Sequence, residues 1–130
     1  MSAFFDTNIL IYAFTNDPKR DRAREVLADG GVISAQVLNE FTSVSRRKHA
    51  RSWAEIEMMI GDLRSQFDAI APLTAATHAA ALALARDHNF NFYDALILAS
   101  AIEAKCDVLY SEDMQNGRKI AGVTIVDPFG

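Results

Sequence analysis

Two patterns alternate along this chain: short apolar runs, which read as buried strands, and segments whose apolar residues recur every three or four positions, which read as helices. Ala3-Phe4-Phe5 is the first run, and Asp6-Thr7-Asn8 reads as the turn into a helix, Ile9 to Phe14, that is apolar on every side and belongs in the core. Asp17 as N-cap and Pro18 at the first helical position launch a helix to about Ala28, which Gly30-Gly31 ends. Val32-Ile33 is a second strand, and Ser34 caps a third helix running to about Lys48 with Val37, Phe41 and Val44 on its inward face. Ser52-Trp53-Ala54-Glu55 matches a capping box, after which Trp53, Ile56, Ile60, Leu63 and Phe67 form the seam of one long amphipathic helix. Ala69-Ile70 is a third strand. Thr74 begins an alanine-rich helix to about Asp87, Asn89 and Asn91 break the pattern, and Tyr93 to Ala104 is an apolar helix. Val108–Tyr110 and Val123–Val126 supply the last two strands. Strands alternating with helices predict a three-layer α/β/α fold with a five-stranded parallel sheet, whose site lies at the carboxyl ends of the strands.

At 130 residues, half of them hydrophobic, the chain is long enough for one core and short for two, so residues 1–130 are expected to form a single domain. The lone Cys106, beside Val108-Leu109, fits a buried thiol in a reducing cytosol. With no basic leader and no apolar run approaching a membrane span, the expectation is a soluble cytoplasmic protein without membrane contact. The net charge of −4 argues against a polyanionic partner until its distribution is considered. Residues 19–51 hold eight of the 13 Lys and Arg against four acids, a local charge of +4, which leaves −8 for the remainder. Arg46, Arg47, Lys48 and Arg51 follow the third predicted helix and are candidate contacts for a nucleic-acid backbone or for a partner peptide. The alternative is that they complement the carbonyl end of that helix.

Four carboxylates stand at the edges of apolar segments. Asp6 and Asp113 follow predicted strands, Asp94 opens the apolar helix, and Glu40 shares a helix face with Val37 and Val44. Taken singly, each aspartate can be a helix cap or a complement to a helix dipole. Gathered in a partly dry place the four repel, and a cation is then needed to offset the charge.

Four segments carry a family resemblance: Phe5-Asp6-Thr7-Asn8-Ile9-Leu10, Ser34-Ala35-Gln36-Val37-Leu38-Asn39-Glu40-Phe41, Tyr93-Asp94-Ala95-Leu96-Ile97, and Tyr110-Ser111-Glu112-Asp113 followed by Gly122-Val123 and Asp127-Pro128-Phe129. In this order the chain resembles the PIN-domain ribonucleases, and within them the VapC toxins of bacterial toxin–antitoxin pairs. The resemblance implies a metal-dependent endoribonuclease with Asp6, Asp94 and Asp113 as metal-holding carboxylates and Glu40 acting directly or through a water, all four being catalytic. It implies Mg2+ or Mn2+ as the ion, supporting roles for Asn8 and Ser111, a cognate antitoxin, and an RNA substrate. Glu112 puts a second acid beside Asp113, and which of the two enters the site stays open; Asn116 lacks the acid that some relatives carry there.

The residues alone agree with that chemistry. Oxygen donors without an accompanying Cys or His cluster favour Mg2+ or Mn2+ over zinc, and water would attack at phosphorus to leave 5′-phosphate and 3′-hydroxyl ends. His49, His78 and His88 have no ligand-like pairing. A non-catalytic PIN-like interaction module is the alternative, its business being the seam of the long helix around Trp53, Ile56 and Ile60. That seam is also expected to be shared with a second copy or an antitoxin, with a homodimer as the unit. A haloacid-dehalogenase-like phosphatase would need an aspartate where Asn8 stands, and a receiver domain would need one after the third strand, where Ala71-Pro72-Leu73 follows.

Overall fold

The computed structural model describes residues 2–130. In chain order the elements are β1 (Ala3–Phe5), α1 (Thr7–Ala13), α2 (Arg20–Leu27), β2 (Val32–Ser34), α3 (Ala35–Arg47), α4 (Trp53–Gln66), β3 (Ala69–Ala71), α5 (Ala75–His88), α6 (Phe92–Glu103), β4 (Val108–Tyr110), β5 (Lys119–Ile120) and β6 (Val123–Val126). The strands form one sheet in the order β3-β2-β1-β4-β6-β5. All neighbours are parallel except β5, which pairs antiparallel with β6. The five predicted strands are therefore the five parallel ones. The sixth, β5, is an addition: Ala121 and Gly122 both take positive φ and close a two-residue hairpin. Two residues of strand are too few to leave a pattern.

The order has a consequence for the site. From β1 the chain moves outward to β2 and β3, then crosses back to β4 on the other side of β1, so the order reverses between β1 and β4. In open parallel sheets a crevice forms at such a point, outside the carboxyl ends of the strands. The two ends are joined there: the Asp6 N–H donates to the Tyr110 carbonyl at 2.9 Å, one residue beyond the Phe5–Tyr110 pair.

Phe4, Phe5, Ile33, Leu109 and Ile125 are fully buried on the strands, as are Ile9, Leu10, Val37, Phe41, Ile97 and Leu98 on the helices that cover them. The Phe5 ring stacks on Tyr110 at 5.6 Å and meets Phe67 at 5.8 Å, tying the central strands to the end of α4. Gly31 allows β2 to reach β1: at φ +143° a Cβ there would lie 2.6 Å from the Ala3 carbonyl oxygen and 2.7 Å from the Phe5 ring.

Two helix starts differ from the sequence expectation. The Asp6 side chain accepts the Thr7 N–H, so α1 begins at Thr7 and the expected turn is its first turn. Conversely α2 begins at Arg20, because Asp17 accepts the Lys19 N–H at 2.8 Å in a local turn that uses up the expected cap. Capping of the other helices follows the expectation, by Ser34 for α3 and by capping boxes at Ser52 and Thr74 for α4 and α5. Among the described residues no helix is long and apolar enough to cross a membrane.

Candidate active site

Asp6 leaves β1 at the switch point and is 3 % exposed. One carboxylate oxygen accepts the Thr7 N–H at 2.7 Å, and the other accepts the hydroxyl of the fully buried Ser111, also at 2.7 Å. Ser111 itself follows β4 and accepts the Met114 N–H at 3.2 Å. A single hydroxyl thus clamps the two central strand ends together. Burial raises the Asp6 carboxyl to about 7; the Ser111 and Thr7 hydrogen bonds offset only part of this, and the charges of Asp94 and Glu40 add to it.

Asp94 lies in the first turn of α6, which Asn91 caps by accepting the Tyr93 N–H at 3.0 Å. It is half-buried, and burial, then Asp113, then Glu40, raise its carboxyl to about 6. No side-chain or backbone donor of the described residues supports it. Glu40, on α3, is held from two sides: the Thr7 hydroxyl donates to one oxygen at 3.2 Å, and the Gln36 amide donates to the other at 2.9 Å. Asp113 is exposed and accepts the Asn8 amide at 2.7 Å. Its carboxyl is raised too, by partial loss of water and then by Glu112, with Lys19 opposing.

Glu112 is engaged elsewhere. Lys19 pairs with it, and the Tyr12 hydroxyl donates to it at 2.6 Å. The Lys19 ammonium stands 5.0 Å from the Tyr12 ring centre and 5.4 Å from that of Phe129. Burial alone would raise the Glu112 carboxyl, but the Lys19 and Tyr12 hydrogen bonds outweigh it and hold the group below its usual value. Of the two adjacent acids, Asp113 is the one whose charge reaches Asp94.

The sequence-predicted acids therefore share one electrostatic field, Asp6 with Asp94 and Glu40, and Asp94 with Asp113 and Glu40. They do not form a closed shell: among the described residues no three Asp, Glu, His or Cys side chains are grouped closely enough to hold an ion. Asp6, Glu40 and Asp113 instead each turn to a neutral donor of their own. The donors that sequence reasoning missed are Thr7 and Gln36 on Glu40, and Tyr12 and Lys19 on Glu112. Gln36 carried a signal, standing one helical turn before Glu40. Tyr12 and Lys19 are 100 and 93 residues from Glu112 and carried none.

The four basic candidates divide. The Arg46 guanidinium stacks 4.7 Å from the Trp53 ring and donates to the Arg51 carbonyl, while Arg51 donates to the Phe14 carbonyl at 2.9 Å, so both brace the α3–α4 turn. Lys48 is exposed at the end of α3. Arg47 lines a groove of about 450 Å3 together with Gln36, Glu40 and Tyr93. On the other side of the acids a second groove, of about 540 Å3, begins at Asp94 and Asp113. In the predicted α4 seam Ile56 and Leu63 are core residues, whereas Trp53 is 59 % exposed; Met58, on α4 but outside the seam, is 73 % exposed. Ile56 is thus spent within the fold, and Trp53 remains on the surface.

Solved structures share this architecture. A toxin–antitoxin complex from Klebsiella pneumoniae has a chain 26 % identical, matching over 98 % of both chains with a TM-score of 0.75. VapC20 of Mycobacterium tuberculosis, a toxin that cleaves the sarcin–ricin loop, matches at 19 % identity over 86 % of this chain and 90 % of its own, with a TM-score of 0.73. VapBC2 of Rickettsia felis, solved on a fragment of promoter DNA, matches at 20 % identity over 96 % and 97 %, with a TM-score of 0.68. No curated protein matches in sequence. The family model of the PIN domain matches residues 3–120, from β1 through all four acids to β5, and this chain belongs to that family.

Proposed function

We propose that this chain is a Mg2+- or Mn2+-dependent endoribonuclease and the toxin of a toxin–antitoxin pair, residues 1–130 forming one nuclease domain that works in the cytoplasm. The observation that carries this is Asp94: a half-buried carboxylate, raised to about 6 beside Asp113 and Glu40, with no supporting donor from the described residues. Such a group waits for a partner from outside the chain. The donor set is all oxygen, which suits a hard divalent cation; Asp6, Asp94 and Asp113, too spread here to close on an ion, would draw together to hold it, with Glu40 beside them. When bound, the ion supplies charge neutralisation at the phosphate and acidifies water for attack.

The chain's own residues supply the rest. Ser111 and the Thr7 N–H fix Asp6 in place, so its orientation costs nothing at the moment of reaction. Glu40, steadied by Thr7 and Gln36, is set to accept a hydrogen bond from the attacking water and orient it. Lys19 and Tyr12 keep Glu112 out of the way, so that one acid rather than two faces the phosphate from the β4 loop. Arg47 in the Glu40 groove, and the exposed Lys48 at the end of α3, offer positive charge to an RNA backbone.

The antitoxin is supported by the 26 % identical chain, which comes from a toxin–antitoxin complex. Trp53 and Met58 are the apolar surface for it or for a second copy in a homodimer. The test is cleavage of single-stranded RNA with Mn2+, with and without chelator, by the wild type and Asp94→Asn. Wild-type cleavage that leaves 5′-phosphate and 3′-hydroxyl ends, and is lost on chelation and in the variant, supports the reading. Cleavage that persists in chelator, or 2′,3′-cyclic phosphate ends, removes it.

A further inference from the structure

The groove of about 540 Å3 leads from Asp94 and Asp113 to Arg118, past His88, Asn89, Asn91 and Gln115. Beyond the two carboxylates its wall carries the Asn89, Asn91 and Gln115 amides and the Arg118 guanidinium. Arg118 donates to the His88 carbonyl at 2.8 Å, and its guanidinium carbon stands 4.5 Å from the ring centre of Phe90. Phe90, partly buried, packs in turn against the hydrophobic core, which anchors the platform beneath the guanidinium. A guanidinium has five N–H donors, and the bond to His88 uses one. Asn91 is set as well: its carbonyl oxygen is spent on the Tyr93 N–H, which leaves its NH2 as a donor.

A planar guanidinium held in place and flanked by amide donors suits a nucleobase edge with adjacent acceptors. Guanine presents O6 and N7 in that way, and a forked guanidinium pairs with both. Single-stranded RNA exposes such edges, because its bases can be splayed out of the stack. We infer that this groove is a base-recognition subsite for a guanine of single-stranded RNA at one fixed position next to the scissile phosphate, with Arg118 as its specificity-determining residue. The inference rests on the ribonuclease reading above, since it places the phosphate at Asp94 and Asp113.

The experiment measures kcat/KM and its salt dependence on short oligoribonucleotides that differ only in the base flanking the cut. The wild type should prefer guanine at one flanking position by roughly 5- to 150-fold. Arg118→Lys, which keeps the charge and loses the fork, should still cleave with little preference and the same salt slope. A second arm needs only the wild type: 7-deazaguanine at that position, which lacks the N7 acceptor, should lose most of the preference. Losses that are uniform across sequences with a shallower salt slope would make Arg118 a phosphate contact and overturn the subsite. So would 7-deazaguanine cleaved as fast as guanine. If the wild type cleaves, Asp94→Asn does not, and no base preference exists, the subsite fails and the ribonuclease reading stands. If the wild type cleaves no RNA with Mn2+, both fail.

Discussion

Raising the pH should destabilise the metal-free protein, and Asp6 sets the size of the effect. Its carboxyl titrates near 7 in the fold against 3.8 as an unperturbed group, chiefly because it is buried. Between those values the folded state holds more protons than the unfolded one, so stability is fully present below about pH 4 and is lost as pH rises through 7. At 1.36 kcal/mol per pK unit the complete loss is about 4 kcal/mol, of which more than half falls between pH 5 and 8. For a domain of this size that is roughly 8–12 °C in melting temperature. Asp94 and Asp113 are raised as well and act in the same direction, discounted by their exposure. Glu112, Asp87 and Glu55 are held low and titrate below this window, so they do not oppose it. The assay is a set of thermal melts in chelator from pH 5 to 8 on wild type and Asp6→Asn, whose amide keeps the shape without the charge. Wild type should lose stability across the range and the variant much less. Adding Mn2+ should rescue wild type most at pH 8, where protons no longer compete for the oxygens. A flat or rising wild-type curve, or equal slopes in the two proteins, would refute the account of a buried uncompensated charge.

Three further outcomes follow from the same geometry. Asp94→Asn should melt higher than wild type in chelator while losing cleavage, since it relieves repulsion without breaking a hydrogen bond; a lower melting temperature would count against a crowded site. Ser111→Ala should cost about 1–3 kcal/mol by stripping Asp6 of a donor, and denaturant melts at pH 5 and 8 should find the cost greater at pH 8, where Asp6 is charged. Arg47→Gln should weaken RNA binding and flatten its salt dependence at unchanged stability. Arg51→Gln should instead lower the melting temperature, because its guanidinium braces the Phe14 carbonyl; the same effect from both would erase the distinction between groove and brace.

Much of this molecule was legible before any coordinates. The five parallel strands, the helices and most caps were predicted, because each depends on residues within about four positions of one another: an apolar run, a 3.6-residue repeat, a serine before an exposed N–H. The four acids stood out for a related reason, as charged groups at the ends of apolar segments, where a parallel sheet collects its ligands. What the sequence could not decide are the pairings across long separations. Glu112 and Asp113 are equivalent on paper; Lys19 and Tyr12 separate them, and only the packing of α1 and α2 beside the β4 loop brings those groups into reach. The donors on Glu40, the Ser111 clamp on Asp6, the late start of α2 and the burial of Ile56 have the same origin. Local preference is written in neighbouring residues, whereas which carboxylate is desolvated, and which donor reaches it, is decided by the sheet order that closes β1 against β4.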